Sequence, residues 1–294
     1  MAIRKVGVLG CGLMGHGIAQ ICAQNGWDVV VREVDQDKLD KGLVKVDKQL
    51  AKAVDKGKLE EGDAKTIRDR ITGTLDYGDL ADCDLVIEAI TEDLDGKLEM
   101  WKEVDGIAKD DAYFATNTSS LPVAAQAEAT GRPERFLGLH FFNPPQVMPL
   151  LEVVRADATA DDAYDLGFSV GDELGKTTVE AGDNRGFIVN RLLVPYMLDA
   201  IRALEQGVGS IEDIDKGMMA GASHPMGPLT LADFVGLDTL ASIADVMVDA
   251  YGEDRFGQPD TLKRLVSAGD FGRKTGKGFY DYSGEKPVPA DPTA

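Results

Sequence analysis

The run KVGVLGCGLMGHGIAQIC, residues 5–22, begins as an apolar strand pattern from Lys5 to Leu9. It then passes through Gly10, Gly12 and Gly15 into a helical pattern carried by Ile18, Ile21 and Cys22. Strand, G-x-G-x-x-G and helix in immediate succession are the setting a dinucleotide-binding turn requires. The first glycine permits the tight turn, the second lets backbone approach a pyrophosphate, and the third lets the helix pack on the strand. Free amides and the positive dipole end of the helix then face the phosphates. A second strand, Asp28 to Arg32 (DVVVR), follows. Shortly beyond it stands Asp35, twenty residues after Gly15, as a carboxylate for the adenosine ribose that also disfavours a 2′-phosphate. The expected cofactor is therefore NAD, although Arg32 and Lys38 lie nearby.

Outward from that turn, strand signals recur at Leu85–Ile90, Tyr113–Ala115, the FLGLH run, Leu150–Val154 and Lys176–Glu180. Helical stretches lie between several of them, including the lysine-rich Lys38–Lys58 segment, one containing Trp101, and Thr159–Leu174. This alternation predicts an α/β fold, a Rossmann-type doubly wound sheet. After the polar break Ala181–Gly186 strand signals nearly vanish, and Phe187–Gln206, Ile211–Ala220, Leu229–Ala250 and Thr261–Ala268 read as helices. The expected domains are 1–183, binding the dinucleotide, and 184–294, an all-α C-terminal domain. So much apolar surface on few helices suggests a homodimer.

Composition removes whole classes of function. A net charge of -20 and 51 acidic against 31 basic residues argue against a nucleic-acid partner. No apolar run reaches the roughly 18 residues of a membrane span, so no membrane partner is expected and a cytoplasmic location is. Cys11, Cys22 and Cys83 are scattered, with no histidine at ligand spacing, so neither disulfides nor a metal are expected. Aspartate outnumbers glutamate 35 to 16 along the whole chain, a pattern that suggests a halophilic surface.

Chemistry concentrates in LHFFNPPQVMPLLE, residues 139–152. His140 ends a strand that Asn143-Pro144-Pro145 stops, and the returning run carries Glu152 to face it. A base held by an acid is what alcohol oxidation needs, whereas an isolated strand-end histidine is more often structural. Asn117-Thr118-Ser119-Ser120, at another strand tip, either caps the next helix or reaches a substrate. The basic Lys38–Lys58 segment is either a solvated face or a contact for anionic substrate phosphates. Asn190 and Arg191 sit at the domain junction, a common place for ligand sites.

Taken together, GCGLMG, EAITED, NTSSL, LHFFNP with LLEVV, GFIVNRLLVPY, HPMGPL with DFVGLD, and GRKTGKGFY resemble the 3-hydroxyacyl-CoA dehydrogenase family over nearly the whole chain. The resemblance is to its short, single-function 3-hydroxybutyryl-CoA type. It implies His140 as catalytic base, Glu152 as the acid orienting it, and Ser119 and Asn190 as hydrogen-bonding partners of the substrate. It implies that Gly10, Gly12, Leu13, Met14, Gly15, Asp35, Glu92, Lys97, Asn117, Asn143 and Lys274 contact NAD. It places Lys52 and Lys56 near the phosphates of an acyl-CoA substrate. Pro149 and Arg185 depart from the family pattern, which usually has a lysine and a proline there. Two rival readings remain: a dehydrogenase of a free hydroxy acid or sugar acid, separable by assays with and without CoA, and a non-catalytic NAD-binding protein.

Overall fold

The computed structural model describes residues 3–290, which form two compact units, one ending at Phe187 and the other beginning at Ile188. The first unit thus runs a few residues past the break expected at Asp183, as far as a buried phenylalanine.

In chain order the first unit comprises β1 (Lys5–Leu9), α1 (Gly15–Gln24), β2 (Asp28–Arg32), α2 (Gln36–Asp55), α3 (Glu61–Asp69), β3 (Ile71–Thr74) and β4 (Leu85–Glu88). It continues with α4 (Leu94–Asp105), β5 (Tyr113–Thr116), α5 (Val123–Glu128), β6 (Phe136–Phe141), β7 (Leu150–Arg155), α6 (Asp161–Glu173) and β8 (Thr177–Gly182). The eight strands form one sheet in the order β3-β2-β1-β4-β5-β6-β7-β8. β1 pairs in parallel with both β2 and β4, so the glycine turn after it opens where the sheet's winding reverses. Strands such as β4 and β5 are buried throughout, as expected of a parallel sheet covered on both faces. One face packs Ile18, Ala19 and Cys22 of α1 against the sheet, and the other packs Trp101 of α4 and Val123 of α5 against Phe114 and Phe136.

β7 breaks the parallel pattern and runs antiparallel to β6. A parallel return needs a crossover of a dozen or more residues, and the link from Phe142 to Pro149 is too short to supply one. The chain must therefore double back, with a cis Asn143–Pro144 peptide in the link. Doubling back sets His140 directly opposite Glu152.

The second unit holds α7 (Val189–Glu205), α8 (Ile211–Gly221), α9 (Pro228–Val235), α10 (Leu237–Tyr251) and α11 (Asp260–Ala268), then the short pair β9 (Tyr280–Asp281) and β10 (Val288–Pro289). Its own core joins Leu198 and Ile201 of α7 to Leu229, Leu240, Leu262 and Phe279. α7 runs unbroken through Pro195. The segment read as one helix from Leu229 to Ala250 is two, because Gly236 at φ +100 turns the chain between them. No helix of the described residues is long and apolar enough to cross a membrane.

Candidate active site

The glycine turn is shaped by close backbone approach. Gly10 has φ +92, and a Cβ there would lie 2.7 Å from the Ala89 carbonyl oxygen of the neighbouring strand end. A Cβ on Gly15 would fall 1.9 Å from the Gly10 carbonyl oxygen, so only glycine lets α1 start this near β1. Over Gly12 nothing lies within 4 Å, and Gly12 and Leu13 are exposed with Met14 half-buried. That open surface above the N-terminus of α1 fits a pyrophosphate approaching backbone amides.

Two side chains brace the turn. Glu33, the first residue after β2, is buried and accepts hydrogen bonds from the Cys11 amide at 2.8 Å and its neighbour Val34 at 2.9 Å. His16 is buried in the first turn of α1, its Nδ1 2.6 Å from the Gly12 carbonyl oxygen and its Nε2 2.9 Å from the Gln49 amide nitrogen. Burial lowers the His16 pKa, although the Gly12 carbonyl opposes the shift. The pattern assigns a neutral ring with its proton on Nδ1. Burial also pushes the Cys11 thiol up to about 12, which leaves it a packing group.

Asp35, expected at the ribose, is the N-cap of α2. Its carboxylate accepts from the Lys38 amide at 2.8 Å and pairs with the Lys38 ammonium at 3.1 Å, which hold its pKa below the usual carboxylate value. Glu33 is a brace of the turn that sequence reasoning did not single out. Its signal was available, because it is the first acid past the apolar run DVVVR, whereas spacing from Gly15 singled out Asp35.

At the other side of the sheet His140 Nδ1 lies 2.6 Å from Glu152 Oε2, with both residues buried. With Glu152 as the acceptor, the proton sits on Nδ1, and Nε2, across the ring, is left as the nitrogen able to take up a proton. The imidazole is flanked by Phe142 at 4.6 Å and Phe187 at 5.3 Å between ring centroids.

The expected NAD and substrate residues at the tips of β4 and β5 form one network. Lys97 is buried and paired with Glu88 and Glu92, each at 2.9 Å. Burial pushes Glu88 up against the opposing pull of Lys97. Burial acts on Glu92 too, but Lys97 and the Ser119 amide outweigh it and hold that carboxyl below its usual value. Glu92 accepts from the Ser119 amide and the Thr118 hydroxyl, both at 2.8 Å, and so positions the half-buried Ser119. Asn117 Oδ1 accepts from the Phe141 amide at 2.9 Å, tying the tip of β5 to the end of β6 beside His140. Asn143 is exposed just past β6.

Lys52 and Lys56 are exposed at the C-terminal end of α2. In the second unit Asn190 is half-buried in the first turn of α7, and Lys274 is exposed and paired with Asp238 at 2.5 Å. Arg185 donates to the Ser120 carbonyl at 2.6 Å, beside Ser119. Among the described residues no three His, Cys, Asp or Glu side chains gather as metal ligands.

Residues 5–184 match the family model for the 3-hydroxyacyl-CoA dehydrogenase NAD binding domain, and residues 186–282 that for the C-terminal domain. The 3-hydroxybutyryl-CoA dehydrogenase of Mycobacterium tuberculosis is 46% identical over 96% of this chain and 99% of its own length. The probable 3-hydroxybutyryl-CoA dehydrogenase of Deinococcus radiodurans is 45% identical over 95% of this chain and all of its own. Among solved structures, FadB2 of M. tuberculosis superposes with a TM-score of 0.93 at 46% identity, covering 96% of this chain and 100% of that one. The (S)-3-hydroxybutyryl-CoA dehydrogenase PaaH1 of Ralstonia eutropha superposes with a TM-score of 0.91 at 40% identity, with the same coverage.

Proposed function

The chain belongs to the 3-hydroxyacyl-CoA dehydrogenase family, and from that premise we propose that it interconverts a (3S)-3-hydroxyacyl-CoA and the 3-oxoacyl-CoA, acting on short chains such as 3-hydroxybutyryl-CoA. The observation that carries the reading is the buried His140–Glu152 pair, 2.6 Å apart and locked by the register of β6 on β7. With Nδ1 committed to Glu152, Nε2 takes the proton of the substrate hydroxyl as the carbonyl forms at C3. NAD bound at the glycine turn supplies the acceptor for the C3 hydride, or the donor in the reverse direction. Glu152 stabilises the imidazolium that results, and the same ring returns the proton to the C3 oxygen when a ketone is reduced.

The remaining residues are assigned by position and resemblance. Ser119, held by Glu92, hydrogen-bonds the substrate near its reacting oxygen, and the resemblance alone gives Asn190 a substrate-binding role. Glu33, just past β2 and bound to the Cys11 amide of the glycine turn, is the acid we assign to the adenosine ribose, and Asp35 starts the next helix. Lys52 and Lys56 lie exposed on α2 as partners for the CoA phosphates. A homodimer is part of the reading, supported by Leu192, Val208, Met219 and Phe234, large apolar residues exposed on the second unit. Sedimentation should then give twice the chain mass of 31.5 kDa. A cytoplasmic location is supported by three cysteines kept as free buried thiols.

The deciding assay compares acetoacetyl-CoA with free acetoacetate as substrates for NADH oxidation. Turnover with the thioester alone is expected. Equal rates on the free acid would replace this reading with that of a hydroxy-acid dehydrogenase.

A further inference from the structure

Beyond β8 the chain makes a tight turn, Asp183–Phe187, that reaches two parts of the site at once. Asp183 accepts from the Val123 and Ala124 amides at 3.0 and 2.7 Å, capping α5 next to the Ser119 loop. Arg185 holds the Ser120 carbonyl of that loop. The Phe187 amide closes the turn on the Asn184 carbonyl at 2.9 Å. Gly186 has φ +78, and Phe187 follows at φ +45 with its side chain buried. Apart from Ser223, Phe187 is the only non-glycine with positive φ among the described residues. A bulky residue in that region is strained and persists only where its surroundings over-determine it. Glycine would fit the backbone without strain, so the ring itself is what the position retains.

That ring lies against His140. The Glu152 bond fixes one edge of the imidazole but leaves the ring free to tilt about the Nδ1···Oε2 axis. Phe142 limits the tilt from one contact and Phe187 from another, and the direction of Nε2 follows from all three. We propose that Phe187, held in a left-handed backbone by the Asp183–Gly186 turn, is a positioning residue that aims His140 Nε2 at the substrate, and that the turn registers this aim with the Ser119 loop through Arg185. The proposal rests on His140 being the base.

The test is a set of variants: Phe187→Leu, which keeps apolar bulk without a flat ring, Gly186→Ala, which keeps the ring but strains the turn, and Arg185→Gln. His140→Gln is the control. A misaimed proton acceptor slows the chemical step, so Phe187→Leu should lower kcat by roughly 10- to 100-fold. The KM for acetoacetyl-CoA should stay within about threefold and NADH affinity within about twofold, because Phe187 acts here through the imidazole and not on either ligand. The primary isotope effect on kcat with C4-deuterated NADH should rise as hydride transfer becomes limiting. Gly186→Ala should reproduce this pattern, and Arg185→Gln should show it more weakly. A structural role alone would lower the folded fraction and leave the isotope effect unchanged. Wild-type kcat and isotope effect in folded Phe187→Leu would overturn the proposal. If that variant does not fold, the same result in Gly186→Ala overturns it. Normal turnover in His140→Gln would instead remove the assignment of the base, which separates the two failures.

Discussion

Each unit of this protein is built around a buried carboxylate, Glu152 in the sheet and Asp233 in the helices, 0% and 1% exposed. Asp233 accepts from the Phe279 amide at 2.9 Å, the Tyr280 amide at 2.9 Å and the Tyr282 hydroxyl at 3.0 Å, all from the C-terminal segment. Two glycines of GRKTGKGFY belong to the same contact, since a Cβ on Gly278 would lie 2.1 Å from Asp233 Oδ1 and one on Gly272 2.4 Å from its carbonyl oxygen. Asp233 is therefore a clamp, whose donors keep their protons throughout. Glu152 is equally buried, but its partner is an imidazole that can gain and lose a proton. Burial is common to both carboxylates; the proton chemistry of the partner is what differs.

The largest effects should separate the two at once. His140→Gln should lower kcat by roughly 10² to 10⁴-fold while melting temperature and NADH affinity stay nearly unchanged, because only the transition state uses the proton transfer. Oxidation needs the neutral ring and reduction the imidazolium, so the two directions should show opposite pH limbs. Glu152→Gln, which removes the carboxylate that accepts from Nδ1, should slow both directions. Normal turnover in folded His140→Gln would erase the contrast. Asp233→Ala should do the reverse, costing about 3 kcal/mol as several buried donors lose their acceptor. Turnover per folded molecule should hold, which active-site titration beside a melting curve would measure.

The pH dependence of stability sharpens the same contrast with a somewhat smaller effect. Burial pushes the Asp233 carboxyl up to about 6, from 3.8 as the ordinary value, against the pull of its donors. The folded state then binds more protons than the unfolded one between those values. Its contribution is complete below about pH 4 and is lost as pH rises to about 6. The span is at most about 3 kcal/mol, since each tenfold gain in proton affinity is worth about 1.4 kcal/mol. Denaturant titrations at pH 4, 5, 6 and 7 on the wild type and Asp233→Asn would show it. Identical slopes in the two proteins would remove Asp233 as their source.

A smaller effect, on cofactor choice, distinguishes the two acids at the glycine turn. Glu33→Gln should weaken NADH binding about tenfold, about the 1.4 kcal/mol of one hydrogen bond to a charged group, and narrow the gap between NADH and NADPH. Asp35→Ser keeps a capping oxygen on α2 and should change cofactor preference little. If Asp35→Ser narrows the gap and Glu33→Gln does not, the ribose role returns to Asp35.

These two acids also mark how far the sequence could be read. The turn 10–15 and the His140–Glu152 pair were legible because glycine spacing, apolar runs and a short proline-bearing link each have one good structural solution. The bracing role of Glu33 was obscured because two acids within three residues both follow the apolar strand, and only the strand's end distinguishes them. α3 and β3 gave no signal. Ile67 is the one buried residue of α3, and ITGT is a four-residue edge strand with Ile71 alone buried. The left-handed backbone of Phe187 was also hidden, because sequence patterns anticipate positive φ at glycine and not at phenylalanine. In the helical unit, two-residue strands and a glycine break inside an apolar run lie below what periodicity can show.

The smallest effect per group is that of salt, and it tests the contrast from outside. A net charge of -20 means that many surface carboxylates repel one another and repel the anionic phosphates of NADH and CoA. At about 1 M salt the Debye length is roughly 3 Å, so repulsion between exposed groups is largely screened, whereas buried pairs are screened much less. His140–Glu152 and the Asp233 clamp are both buried. Raising salt from low to molar concentration should therefore raise the melting temperature by several degrees and improve the KM for acetoacetyl-CoA, while kcat at saturation and the pH position of the His140 limb stay put. The salt must be sodium or potassium chloride, because sulfate would strengthen apolar burial independently of charge. A flat or falling melting temperature would remove the halophilic reading of the surface. A kcat or pH limb that moved with salt would show that the proton-transfer pair is open to screening ions, and that it shares the electrostatics of the surface instead of the dry interior of the sheet.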